Sequence, residues 1–154
     1  MPGEECIVAK IVASTMIERP TNEVWNFMLD VSSLPKWIPG LLEGKVTSEG
    51  PIGMGTTLQV KNSAWPKLVE FRITEYEPGR KATMDITFPQ AARGSRETFA
   101  LENAEGKTKL NLTFDMKLNG LYSLVGPFVA PSQRKIAKTE VGNLKRVMES
   151  GAKS

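Results

Sequence analysis

Between residues 107 and 118 apolar and polar side chains alternate without a break. Leu110, Leu112, Phe114, Met116 and Leu118 fall on one face, and Lys109, Asn111, Thr113, Asp115 and Lys117 on the other. A period of two marks a strand with one buried face and one wet face. The pattern recurs over 67–77, with Val69, Phe71 and Ile73 inward and Glu70, Arg72 and Thr74 outward. It recurs again over 81–88, where Ala82, Met84, Ile86 and Phe88 oppose Thr83, Asp85 and Thr87. Leu58 with Val60, and Phe99 with Leu101, extend the apolar face to two further strands. Turn-forming stretches at 62–66, 77–79, 89–94 and 103–106 separate these runs. Each is short enough for a hairpin, which predicts an antiparallel meander rather than parallel crossovers.

Other periods flank the meander. Residues 6–15 are rich in β-branched side chains and read as a strand. Pro20-Thr21-Asn22-Glu23 then opens a helix, with Thr21 as the expected N-cap, and Val24, Trp25, Phe27 and Met28 carry apolar groups at helical spacing to about Asp30. A second short helix is expected from Ser33 to Trp37, ended by Pro39-Gly40. After Asn119-Gly120 the chain becomes helical again. Ile136, Ala137, Val141, Leu144, Val147 and Met148 form one stripe, and the upstream prolines place the regular start near Pro131 or Ser132. The sum is an α+β chain: a strand, two short helices, six more strands and a long C-terminal helix. About seven strands make one curved antiparallel sheet, and the last helix is the only element large enough to cover its apolar face. A sheet curled around a helix need not fill the space between them, so a grip around a cavity is expected.

Composition narrows the chemistry. The chain of 154 residues contains no histidine, which removes a Ser-His-Asp triad, a Cys-His dyad and any histidine-ligated metal site. No metal and no cofactor is expected. The single cysteine, Cys6, has no internal partner for a disulfide and no basic neighbour that would make it a nucleophile. Lysine and arginine exceed aspartate and glutamate only by 20 to 17, too small and scattered an excess for a nucleic-acid partner. No apolar run is long enough to span a membrane. Glu4 and Glu5 stand where a secretory signal would be positive. A cytoplasmic protein forming one domain over residues 1–154 is the expectation, with a homodimer left open.

The candidate binding surface is collective. Val60, Val69, Phe71, Met84, Ile86, Phe99, Leu112 and Phe114, with Met116 beside them, line one concave face that carries almost no charge. Such a surface suits a small hydrophobic or aromatic molecule, and thioethers adapt to varied apolar shapes. Alternation from Phe99 and Leu101 places Ser95 and Glu97 on the same face. A carboxyl there is a candidate acid or base if it is buried unpaired, but pairing at the rim with Arg93 or Arg96 is the expected arrangement. Tyr122 is the other polar candidate, able to bring a hydroxyl to the end of the cavity. Trp25 is expected to pack the first helix, and Trp65, in a hairpin tip, to be exposed as a cavity gate or dimer contact. Lys135, Lys138, Lys145 and Arg146 are broken up by Glu140 and Glu149, which gives a solvated helix face rather than a membrane-binding one.

Several segments taken in order resemble a known superfamily. Ile17-Glu18-Arg19-Pro20-Thr21-Asn22-Glu23-Val24-Trp25, followed by Leu34-Pro35-Lys36-Trp37, resembles the opening of the START-like (SRPBCC) helix-grip proteins. Gly50-Pro51-Ile52-Gly53-Met54-Gly55-Thr56, Glu75-Tyr76-Glu77-Pro78-Gly79-Arg80, Phe99-Ala100-Leu101-Glu102 before Gly106-Lys107-Thr108-Lys109-Leu110, and Asn143-Leu144-Lys145 continue the match. Within that superfamily the chain is most similar to the polyketide cyclase/dehydrase and lipid-transport group, over residues 6–150. The resemblance implies that Trp37 sits near the opening of the cavity. It also implies a carrier of a hydrophobic ligand or, alternatively, a cyclase or dehydratase whose proton transfers fall to Glu97, Tyr122 or bound water. A third reading, a protein–protein module, predicts a cavity filled by side chains.

Overall fold

The computed structural model describes residues 7–151, so Cys6 lies outside the described residues. The chain runs β1 (Ile7–Ile17), α1 (Thr21–Leu29), a 3-10 turn (Val31–Ser33), α2 (Leu34–Trp37) and β2 (Leu41–Val46). There follow β3 (Thr57–Asn62), β4 (Leu68–Glu77), β5 (Lys81–Phe88), β6 (Arg96–Ala104) and β7 (Lys107–Lys117). A 3-10 segment (Gly120–Val125) then leads into α3 (Gly126–Gly151). The seven strands form one antiparallel sheet in the order β1-β7-β6-β5-β4-β3-β2. This is the expected α+β helix-grip, with the meander closed by β1 against β7.

The main core lies where α3 meets β1, the short helices and the neighbouring strands. Ala137, Val141, Leu144 and Met148 are buried there with Ile11, Ile17, Val24, Trp25, Leu110 and Leu112. Trp25 packs as expected, tilted against Tyr76 with ring centroids 5.7 Å apart. Asn143 Nδ2 donates to the Trp37 carbonyl (3.1 Å), and Lys145 Nζ donates to the Met16 carbonyl (2.7 Å), so polar bonds pin the same half of α3 to α2 and β1.

Local details depart from the sequence reading in four places. Pro20, not Thr21, is the N-cap of α1, and its carbonyl accepts from the Glu23 and Val24 amides. Thr21 instead accepts from Thr108 Oγ1, which also donates to the Arg19 carbonyl at 2.8 Å. Helix α3 starts at Gly126 and carries Pro131 inside it. The proline has no amide to offer the carbonyl four residues back, yet the turn continues because few intrahelical bonds are lost so close to the start. Phe88, expected inward, is 45% exposed. The β4–β5 register shifts between Glu70 and Phe71, so Phe88 lies opposite outward-facing Glu70 while Ile86 lies opposite inward-facing Phe71. Thr83 keeps its outward face but is buried, because Glu75 and Thr98 close over it with bonds of 2.8 and 3.2 Å.

Ser95 ties the start of β6 to the end of β7. Its hydroxyl donates to the Lys117 carbonyl and accepts from the Lys117 amide, both at 2.9 Å, and the residue has no exposure. Ser95→Ala should therefore destabilise the protein by about 1–3 kcal/mol, the usual cost of stranding buried backbone partners. A urea midpoint unchanged from wild type would show that the bridge contributes nothing.

Candidate functional site

The two halves of α3 behave differently. The C-terminal half packs into the core through Val141, Leu144 and Met148, whereas the N-terminal half rests on the end of β7, where Ala130 is buried against Met116 and Leu118, and leaves the concave face beyond it uncovered. Between that half and the concave face lies a cavity of about 400 Å³. Val129, Gln133, Ile136, Ala137 and Glu140 line it from α3, at the three- and four-residue spacing of one helix face. Ile136, read as core from the helical stripe, is 37% exposed and faces this space instead of packing.

Trp37 and all nine residues assigned to the apolar surface line this cavity: Val60, Val69, Phe71, Met84, Ile86, Phe99, Leu112, Phe114 and Met116. Trp37 is held rather than free. Its Nε1 donates to Ser33 Oγ (3.4 Å), Ser33 Oγ donates to the Phe27 carbonyl (2.6 Å), and its ring meets Phe99 edge-on at 6.4 Å. It is 2% exposed, so it forms fixed wall at the α2 end rather than a mobile plug. The third reading required a space filled by side chains, and the cavity is open.

Glu97 departs from its expected pairing. Successive residues of a strand face opposite ways, so Arg96 projects from the outer face and pairs bidentately with Asp85 at 2.7 and 3.1 Å. Arg93 lies exposed beyond the strand. Glu97 faces into the cavity between its cross-strand neighbours Met84 and Phe114, with no hydrogen bond or ion pair among the described residues. Glu140, read from sequence as part of a solvated face, comes down on the same space from α3. A signal for it was present: Ile136, Glu140 and Leu144 are spaced four apart on the inward stripe.

Burial raises the Glu97 carboxyl to about 7, because the apolar wall cannot solvate a charge. Glu140 is pushed well above the ordinary carboxylate range, first by burial and then by the charge of Glu97. Two carboxyls in one apolar space do not ionise independently, so the pair retains a proton near neutrality.

Tyr122 does not reach the cavity interior. It lies in the 3-10 segment, 48% exposed, and stacks on Trp65 at 5.7 Å with the rings 9° from parallel. Trp65 itself lines the cavity while remaining 61% exposed, so the stack joins the β3–β4 hairpin to the β7–α3 connection at the edge of the opening. Leu121, Leu124 and Phe128 project into solvent beside it.

The carboxyl pair fixes a pH dependence. Both folded-state values lie above the unfolded ones, so the associated stability is complete below the ordinary glutamate value of 4.5. It is lost as pH rises through about 7. The slope is up to about 1.4 kcal/mol per pH unit for each group. Asp30, Glu75 and Glu149, held low chiefly by hydrogen bonds, act in the opposite sense and only as pH falls through and below their ordinary values of 3.8 and 4.5. Thermal denaturation should show the melting temperature of the wild type falling between pH 5 and 8, and that of E97Q/E140Q staying nearly level. Parallel profiles for the two proteins would contradict the placement of the pair.

Comparisons with known proteins agree with this fold. The protein TTHA0849 from Thermus thermophilus superposes with a TM-score of 0.75 at 14% identity, over 94% of this chain and 99% of that one. The di-domain ARO/CYC protein BexL of the BE-7585A biosynthetic pathway gives a TM-score of 0.77 at 13% identity, over 95% of this chain and 48% of its own. The Aha1 dimer from Colwellia psychrerythraea gives 0.67 at 19% identity, over 93% and 98%. At these identities the likeness concerns the fold. No curated protein matches the sequence. The sequence profile of the polyketide cyclase/dehydrase and lipid-transport family, in contrast, matches residues 8–149, and the chain belongs to that family.

Proposed function

We propose that this protein binds and carries a small hydrophobic or aromatic molecule in the cavity between the sheet and the N-terminal half of α3, and does so in the cytoplasm. The observation that carries the reading is the open space of about 400 Å³, walled by apolar side chains and filled by none of the described residues. Its size lies within the ordinary range for small-molecule sites, about 300–1,000 Å³. Apolar contact would drive binding at about 25 cal/mol per Å² removed from water, before the costs of association. Among the described residues no helix is long and apolar enough to cross a membrane.

A second reading has its own support. A carboxyl near 7 is suited to giving and taking protons at neutral pH, and Glu97 and Glu140 share the cavity. A cyclase or dehydratase would fold a flexible substrate against the apolar wall and use the pair for enolisation or loss of water. Turnover divides the two readings: an enzyme dependent on Glu97 shows it and loses it in E97Q, whereas a carrier shows none.

Native mass spectrometry of the purified protein, followed by solvent extraction, tests the carrier reading directly. A stoichiometric apolar species is expected. An empty protein that also ignores fatty acids, quinones and aromatic polyketides would refute it. Met84→Trp, which places an indole in the cavity, should weaken binding of any such species by about tenfold or more, measured by tryptophan-independent calorimetry. Trp65→Ala should act on rates instead. Breaking the stack with Tyr122 should raise association and dissociation together, several-fold in stopped-flow traces, with little change in Kd.

A further inference from the structure

The cavity has a chemical polarity that its apolar walls conceal. Its lining includes two carboxyl groups, Glu97 and Glu140, and no lysine or arginine. They reach it from opposite sides, one from the start of β6 and one from α3. Neither makes a hydrogen bond or ion pair among the described residues, and both are half-buried, with carboxyl oxygens that reach the open space of the cavity. The nearby polar groups do not supply the missing contacts. Ser95 is committed to the Lys117 backbone, Asn62 donates to the Pro66 carbonyl, and the Trp37 indole is taken by Ser33. Gln133 also faces the cavity from α3, seven residues before Glu140 and on the same side of the helix. The outer-face cations cannot turn inward: Arg96 is held by Asp85, and Lys81 by Glu75 at 3.3 Å.

Two unpartnered carboxyls facing each other across an apolar space want a donor, and a charged donor most of all. An anionic head group would meet like charge with no cation to offset it, which disfavours a fatty acid or other carboxylate in that orientation. A neutral hydroxyl can bond to one carboxyl. An ammonium group can bond to both and balance the negative charge left when the pair shares one proton. Resting on the carrier reading above, we infer that the ligand is a hydrophobic amine, bound with its protonated nitrogen between Glu97 and Glu140 and its apolar body against the β-sheet wall.

The test compares probes that differ only in the head group: decylamine, decan-1-ol and decanoate, and the corresponding naphthylmethylamine, naphthylmethanol and naphthoate. Binding is measured at pH 7 by calorimetry on the wild type and on E97Q/E140Q, with circular dichroism to verify that the variant is folded. In each series the amine is expected to bind about tenfold or more tighter than the alcohol, with the carboxylate weakest. In E97Q/E140Q the amine should fall to the level of the alcohol, whose own affinity stays within about threefold of wild type. Amine and alcohol binding equally to the wild type would overturn the inference and leave the carrier reading intact. So would an amine preference that survives in the variant, or a carboxylate that binds best. Failure of all six probes to bind would overturn both readings.

Discussion

The shape of this protein depends on one asymmetric contact: α3 fills the core with its C-terminal half, while its N-terminal half rests on the end of β7 and leaves the concave face beyond it open. Leu144 has no exposure, and Val141 and Met148 are nearly as deep, among side chains from β1, α1, α2 and the central strands. That contact sets the helix axis. Further towards its N-terminus Ala130 rests against Met116 and Leu118 at the end of β7, while Gln133, Ile136 and Glu140 face the cavity. The core and the cavity are thus two outcomes of one packing event. What the helix buries at one end determines what it leaves open at the other.

The same geometry explains why two glutamates can exist where they do. A lone charge in an apolar interior is costly, and the usual solutions are a paired cation or neutralisation by a proton. Here no cation can reach, since the strand pleat sends Arg96 to the outer face and Asp85 holds it there. Neutralisation is the remaining route, and the proximity of the second carboxyl reinforces it. The rigid wall matters equally. Trp37, clamped through Ser33 to the Phe27 carbonyl and bonded by its own carbonyl to Asn143, prevents α2 from collapsing into the space.

Much of this was legible from residue order, and the failures have physical causes. Alternation identified the strands and the inward faces of Glu97 and the apolar wall, because a period of two survives without knowledge of the partner strand. It misplaced Phe88 because one extra residue at a bulge inverts every later facing, and nothing in the residues around Glu70 and Phe71 announces the bulge. Helical spacing put Ile136 on the inward stripe and would have put Glu140 there as well. Its charge suggested solvent instead, and only the open space beside the helix makes room for a carboxyl inside. The Trp65–Tyr122 stack joins segments far apart in sequence whose meeting depends on the whole sheet, so no local pattern could reveal it.

The closure of β1 against β7 has a consequence for how the molecule is made. Thr108 of β7 reaches back 89 residues to the Arg19 carbonyl, and Lys145 of α3 reaches back 129 residues to that of Met16. Strand β1 leaves the ribosome long before its partner β7 and is therefore among the last of the seven to find its place. The β2–β7 meander can pair in order as it is synthesised, hairpin by hairpin, while β1 waits with its backbone unpaired until nearly the whole chain has emerged. Throughout that interval an apolar strand and an uncovered concave sheet coexist on the nascent chain. The arrival of α3, which packs on β1 and over part of the concave face, ends their exposure together.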